Sequence, residues 1–264
     1  MKTHALILAA ALLPAGFAGT AYAQTNLVIN GSFEAGPTGQ GVFTDWGWVA
    51  GSDNFSDFGV AQSAGGSEVA EQGNYFAYFR GHPTDDSQDC LGTGVNLKVG
   101  GLYNISYYLG TDGPLTNGAA IWIQIGSSFG LSSDDAALPC FFPHSPGALA
   151  YQKFSTNYVA TLTSAILSFH GINATNGLSI TNGILLDNVS VVQTYPPLKI
   201  SFLKPGSQVF TWPFTNSPYR LQANGSLLTP NWVTLTNLPV NVGTNNQITL
   251  TMSTNLQFYR LTLP

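Results

Sequence analysis

Gly126-Ser127-Ser128-Phe129-Gly130 has the G-x-S-x-G spacing of a nucleophile elbow, and Asp134, Asp135, His144 and His170 follow it in an order from which an acid and a base could be drawn. That chemistry needs the serine on a strand-to-helix turn of an α/β sheet, and this chain has no alternating strand and helix units. A Gly/Ser-rich hairpin produces the same spacing, so Ser128 is the weakest of the chemical candidates. Glycoside hydrolysis needs two carboxyls held about 5 to 9.5 Å apart across a cleft. The only glutamates are Glu34, Glu68 and Glu71, and the aspartates cluster as Asp85-Asp86 and Asp134-Asp135, which read as solvated turns. His82, His144 and His170 lack the paired spacing of a transition-metal site.

Aromatic side chains beside polar ones suggest binding instead. Trp122 falls on the polar phase of its strand next to Gln124, and an indole beside an amide can stack on a sugar ring while the amide bonds its hydroxyls. Asp45, Trp46 and Trp48 in the first long loop, and Tyr78 with Arg80 on one side of their strand, complete the candidate ligand-binding set. A core role for each tryptophan stays open, because a loop can cover the second face of a sandwich.

The elements that must position these residues are strands. Tyr103, Ile105, Tyr107 and Leu109 alternate with Asn104, Ser106 and Tyr108; Ile121, Ile123 and Ile125 alternate with Trp122 and Gln124; Ala165, Leu167 and Phe169 alternate with Ile166, Ser168 and His170. Period two, punctuated by Gly, Asn, Asp and Pro, predicts an all-β antiparallel sandwich. Tyr75 to Arg80 is nearly continuous in aromatics, as in a strand covered on both faces or carrying a ligand on one. Thr194-Tyr195-Pro196-Pro197 breaks the pattern, since proline donates to no ladder. The expected organisation is therefore a first domain over 24–194, a linker over 195–198 and a small Ig-like or fibronectin III-like sandwich over 199–264.

Residues 1–23 read as a secretory signal peptide: Lys2, an apolar run from Ala5 to Leu13, and Ala21-Tyr22-Ala23 as the cleavage site. No stretch reaches the roughly 20 apolar residues of a spanning helix. The expected location is extracellular or periplasmic. Charged residues make up 8% of the chain and the net charge is -5, with no basic cluster, so nucleic acid is a poor partner. An even pair in an exported chain, Cys90 and Cys140, is most simply one disulfide; two separate thiols are the alternative.

Asn26 to Glu34 (N-L-V-I-N-G-S-F-E), Gly73 to Phe79, Val99 to Leu109 and Leu185 to Val192 together resemble the galactose-binding-like jelly rolls of carbohydrate-binding modules and bacterial exported proteins. Cys90-Leu91-Gly92-Thr93-Gly94 departs from that family's Gln-rich strand. The resemblance implies a jelly-roll β-sandwich, a glycan or polysaccharide partner, and a structural calcium ion for which Glu34 and Asp187 are the matching ligands. Asp187 shares parity with Val189 and Val191 and so is expected to point into the sandwich, where a carboxylate must be paired, metal-bound or bonded to backbone N–H groups. The last 70 or so residues resemble a short C-terminal β module of secreted bacterial proteins. The function expected from the whole is non-catalytic carbohydrate binding. A structural or adhesive surface protein is the alternative, and a serine hydrolase through Ser128 the weakest.

Overall fold

The computed structural model describes residues 24–49, 58–66, 68–80, 88–115, 119–129, 132–143, 145–173, 182–204, 206–214, 218–251, 253 and 255–264. The leader expected over 1–23 lies outside them. Among the described residues no helix is long and apolar enough to cross a membrane.

The strands are β1 (Gly39–Gln40), β2 (Gly47–Val49), β3 (Phe58–Gln62), β4 (Tyr75–Arg80), β5 (Gln88–Asn96), β6 (Leu102–Thr111), β7 (Ala119–Gly126), β8 (Ala136–Phe141) and β9 (Leu149–Val159). After them come β10 (Ser164–Asn173), β11 (Gly183–Thr194), β12 (Lys199–Lys204), β13 (Ser207–Pro213), β14 (Arg220–Asn224), β15 (Val233–Thr234), β16 (Val240–Val242), β17 (Asn245–Thr251) and β18 (Phe258–Thr262). One sheet runs β1-β3-β4-β11-β6-β9 and a second β2-β5-β10-β7-β8; two smaller sheets run β12-β13-β17-β16 and β15-β14-β18. The fold is all-β, and the first two sheets form an antiparallel jelly-roll sandwich.

Alternation places one parity of each strand between the two large sheets. Ile105, Tyr107, Ile121, Ile123, Leu167 and Phe169 are buried there, together with Phe33 and Phe58. A separate cluster, centred on Phe210, Trp212, Tyr219 and Leu221, fills the space between the two smaller sheets. Between the sandwiches, the Tyr219 hydroxyl accepts the Leu102 N–H and donates to the Thr194 carbonyl, each at 3.2 Å.

The two motifs at the ends of the first sandwich meet. Val189 N–H donates to the Gly31 carbonyl at 2.7 Å, and the Asn26 side chain donates to the Val189 carbonyl and accepts from Val191 N–H. A Cβ at Gly31 would collide with the Val189 carbonyl oxygen, so only glycine allows this approach. Asn30 turns the chain at φ 52° and bonds Ala35 and the Thr44 carbonyl, which closes the loop leading to Trp46.

Two expectations need correction. Pairing of β11 with β6 shifts register between Asp187 and Ser190, and Asn188 sits at φ 50°. This bulge reverses the parity of the strand. Ile184 and Leu186 face the core before it and Val189 and Val191 after it, so Asp187 points away from the core with Leu185. The second correction concerns the cysteines, which are both free. Cys90 lies on β5 and Cys140 on β8, with β10 and β7 between them. Three strand spacings amount to about 14 Å, whereas a disulfide needs Cα atoms within about 7 Å.

Candidate functional site

The proposed binding residues do not converge. Trp46 is buried between the sheets, tilted against Phe33 at 5.2 Å and Phe169 at 6.1 Å, and its indole N–H donates to the Asn30 carbonyl. Trp48 is half-buried on β2 and meets Phe58 edge-on at 5.9 Å. Asp45, just before Trp46, is exposed at φ 68°. Tyr78 and Arg80 lie on the outer face of the first sheet, where the guanidinium stacks 4.7 Å from the Tyr78 ring and pairs with Glu68 at 2.9 Å and Asp112 at 3.1 Å. Trp122 and Gln124 lie on the outer face of the second sheet, on the far side of the sandwich.

That second outer face is partly roofed. The segment after β7 folds back so that the Phe129 ring takes the space left by Gly47 and Gly92, where a Cβ would lie about 3 Å from it. Gln124 fixes the segment with two bonds: its Nε2 donates to the Ser132 carbonyl at 3.0 Å and its Oε1 accepts the Ser132 N–H at 3.1 Å. Gln124 is thereby a buried anchor and not a free amide. Beneath and beside the roof, Cys90, His170 and Trp122 form one cross-strand row. His170 Nε2 is 2.9 Å from Ser168 Oγ and 3.8 Å from Cys90 Sγ, and the Cys90 thiol donates to the Phe129 carbonyl. Burial, and after it the Asp89 charge, push the thiol up to about 12, while burial lowers His170 to about 4, opposed by Asp135. Both groups are neutral at pH 7, so the row holds no ion pair and no thiolate.

Where the roof ends, Trp122 emerges. It is 40% exposed while Cys90, His170 and Gln124 beside it are buried, and Phe142, 63% exposed, stands edge-on to it at 6.0 Å. Phe142 was not among the residues singled out from sequence; it follows β8 in a stretch without alternation, and only the pairing of β7 with β8 brings it to Trp122.

Ser128 does not form an elbow. Its hydroxyl donates to Asp135 Oδ2 at 2.9 Å, and the same carboxylate accepts the Ser127 and Ser128 amides. An acid, not an imidazole, accepts the hydrogen bond of the serine hydroxyl, in a loop between two strands. His82 and His144 lie outside the described residues.

Glu34 and Asp187 reach one loop from two sides. Glu34 Oε1 accepts Asn74 and Tyr75 N–H, both at 2.8 Å. Asp187 Oδ2 accepts Glu71 and Gln72 N–H at 2.8 and 2.9 Å, and Oδ1 accepts Asn188 N–H at 2.6 Å. Burial still lifts Asp187 to about 7, with these backbone bonds pulling the other way. Oxygen lone pairs that a calcium ion would use are turned toward backbone amides. Among the described residues no group of three or more His, Cys, Asp or Glu is placed to share a metal ion. The two carboxylates fit a loop clasp, and they do not fit a calcium cage.

No protein-family profile matches the sequence, and no curated protein matches it. Solved structures do. A family 61 carbohydrate-binding module in complex with β-1,4-galactotriose is 15% identical, over 64% of this chain and 99% of that one, with a TM-score of 0.46. The K1 cleaved adhesin domain of Lys-gingipain from Porphyromonas gingivalis W83 is 13% identical over 62% and 96%, at 0.45, and a family 16 carbohydrate-binding module 15% identical over 63% and 99%, at 0.40. The likeness is one of fold.

Proposed function

We propose that this protein binds polysaccharide, without a chemical step, through the Trp122–Phe142 platform on the outer face of the second sheet. The observation that carries the proposal is that these two rings, exposed at 40% and 63%, stand edge-on to one another on that face. An indole left in water on the face of a sheet offers a flat apolar surface of the size of a sugar ring, and stacking on it removes that surface from water. Phe142, perpendicular to it, gives a groove with a wall instead of a flat plate. The neutral row of His170 and Cys90 behind the platform places no charge against the ligand, which suits an uncharged glycan. An exported chain, as the leader over 1–23 implies, would meet such polymers outside the cell. The engagement of Ser128 with Asp135 supports a binding role over a hydrolytic one.

Affinity electrophoresis of the full chain in gels containing a panel of neutral polysaccharides tests this. Trp122→Ala is expected to abolish retardation and Phe142→Ala to weaken it about tenfold, on the scale of one aromatic contact, with melting temperatures near that of the parent. Trp46→Ala is the contrasting control, expected to lower stability by about 3–5 kcal/mol as a large core truncation. Retardation that survives Trp122→Ala would sink the platform.

A further inference from the structure

A cleft of about 520 Å³ in the smaller sandwich has the edge of β18 as one wall and, as the other, the linker residues Tyr195 and Leu198 that lead into β12. Strand β18 pairs with β14 on one side only. Which of its backbone groups face the cleft follows from β14. The Leu235 N–H donates to the Leu221 carbonyl, so Leu221 directs its backbone groups toward β15 and away from β18. Backbone direction alternates along a strand. β18 therefore bonds β14 through Phe258, Arg260 and Thr262, which oppose Asn224, Gln222 and Arg220. The N–H and C=O groups of Tyr259 and Leu261 point the other way, into the cleft, and no backbone group among the described residues bonds them. Neither a proline nor a register shift, devices that spoil a sheet edge for pairing, interrupts β18.

The floor of the cleft is apolar. Tyr259 lies over β13, its ring 4.4 Å from Phe210 and its hydroxyl 2.7 Å from Gln208 Nε2. The next strand position beyond β18 lies over β12, where Ile200 and Phe202 sit opposite Phe210 and Gln208 and so share their core-facing side. These two side chains are 48% and 67% exposed, because no strand among the described residues covers them. At a rise of about 3.3 Å per residue, about 4.8 Å between strands and about 10 Å between sheets, the cleft has room for roughly three residues of strand. Charge narrows the occupant further. From Tyr195 to Pro264 the chain carries Lys199, Lys204, Arg220 and Arg260 and no aspartate or glutamate. Arg260 lies on the outward side of β18, held through Nε by Gln222 at 2.8 Å and stacked 4.3 Å from the Trp232 ring. No carboxylate among the described residues pairs with it. A second copy added edge to edge, Tyr259 of each against Leu261 of the other, would face two Arg260 side chains together, and like charges directly opposite are destabilising.

We propose that this edge takes an extended segment of another protein by strand addition, an acidic residue opposite Arg260 standing between two apolar ones whose backbone groups bond Tyr259 and Leu261. The apolar pair covers Ile200 and Phe202, and the acid supplies the charge that the module lacks. Strand addition here is independent of the Trp122–Phe142 platform and gives the smaller sandwich a role of its own.

Fluorescence anisotropy of the full chain with labelled peptides tests it, each peptide alternating threonine with Val, Ile, Leu or Tyr and carrying Glu at its central polar position. At least one is expected to bind, and its counterpart with a central Lys to bind about two- to fivefold more weakly, the range of a cross-strand ion pair. Arg260→Glu should reverse that preference. N-methylation of the two apolar residues beside the Glu, which removes the N–H groups offered to the Tyr259 and Leu261 carbonyls, should abolish binding, as should Phe202→Asp in the floor. Both substituted side chains are exposed, and melting curves of the variants confirm folding. No binding of any peptide, binding that survives N-methylation, or a preference that Arg260→Glu leaves unchanged overturns the proposal. Light scattering should give a monomer; a dimer that dissociates in Phe202→Asp assigns the edge to a second copy and overturns the partner segment. Retardation in polysaccharide gels should be the same in both variants as in the parent, so the platform and this edge stand or fall separately.

Discussion

His170 stands between Cys90 and Trp122 in one row across the second sheet, and burial shifts its titration in the opposite sense to that of Asp187, which is also buried. An unfolded histidine titrates near 6.5, and burial brings His170 to about 4. Its contribution to stability is therefore complete above pH 6.5 and is lost as pH falls toward 4. Asp187 runs the other way: lifted from 3.8 to about 7, it contributes fully below pH 3.8 and loses that contribution as pH rises through 7. His170→Gln should leave the Asp187 slope exposed, so that the melting temperature rises on acidification from pH 7 to 4. Asp187→Asn should leave the histidine slope, with the melting temperature falling between pH 6.5 and 4. Melting curves of both variants across that range check this, and parallel slopes would refute it. Sequence alone cannot tell Trp46 from Trp122 in the same way. Trp122 is legible because alternation with Ile121 and Ile123 puts it outside, whereas Trp46 sits in a loop whose inward turn depends on Asn30.

At the scale of elements, the bulge at Asp187 and Asn188 decides how the first sheet carries its loop. One extra residue turns Asp187 outward, where it and Glu34 capture four backbone N–H groups of the 71–75 loop, those of Glu71, Gln72, Asn74 and Tyr75. A carboxylate accepting two such bonds on one oxygen is already coordinated. Chelation with excess EDTA is accordingly expected to leave the melting temperature unchanged. Glu34→Gln, which weakens two charge-assisted bonds, should lower stability by about 1–3 kcal/mol. A fall in melting temperature on chelation would restore the calcium ion. Period-two counting misassigned Asp187 because a bulge inserts one residue without altering composition, and the only local hint is Asn at 188, a residue type that tolerates φ above zero. Strand β9 escaped sequence reading for a related reason: as a sheet-edge strand with mostly exposed side chains it lacks apolar alternation.

In the whole molecule, two cores and a hydroxyl between them organise the chain: Tyr219, from the smaller sandwich, bonds both Leu102 and Thr194 of the larger. The larger sandwich stands without a covalent staple, since β10 and β7 separate Cys90 from Cys140. Thiol titration of the native protein is expected to react with Cys140 quickly and with Cys90 only on unfolding, because Cys90 is buried and its thiol is raised to about 12. Added reductant should not move the melting temperature; a drop would return the disulfide. The sequence by itself determined the all-β class, the strands that alternate and the outward phase of Trp122, because each follows from residue spacing along one strand. Only the tertiary structure decided that the two end motifs pair through Gly31, that Trp46 is core, that Asp187 faces out, and that Phe142 stands beside Trp122. These depend on strand order, register and a single bulge, which relate residues that no local pattern connects.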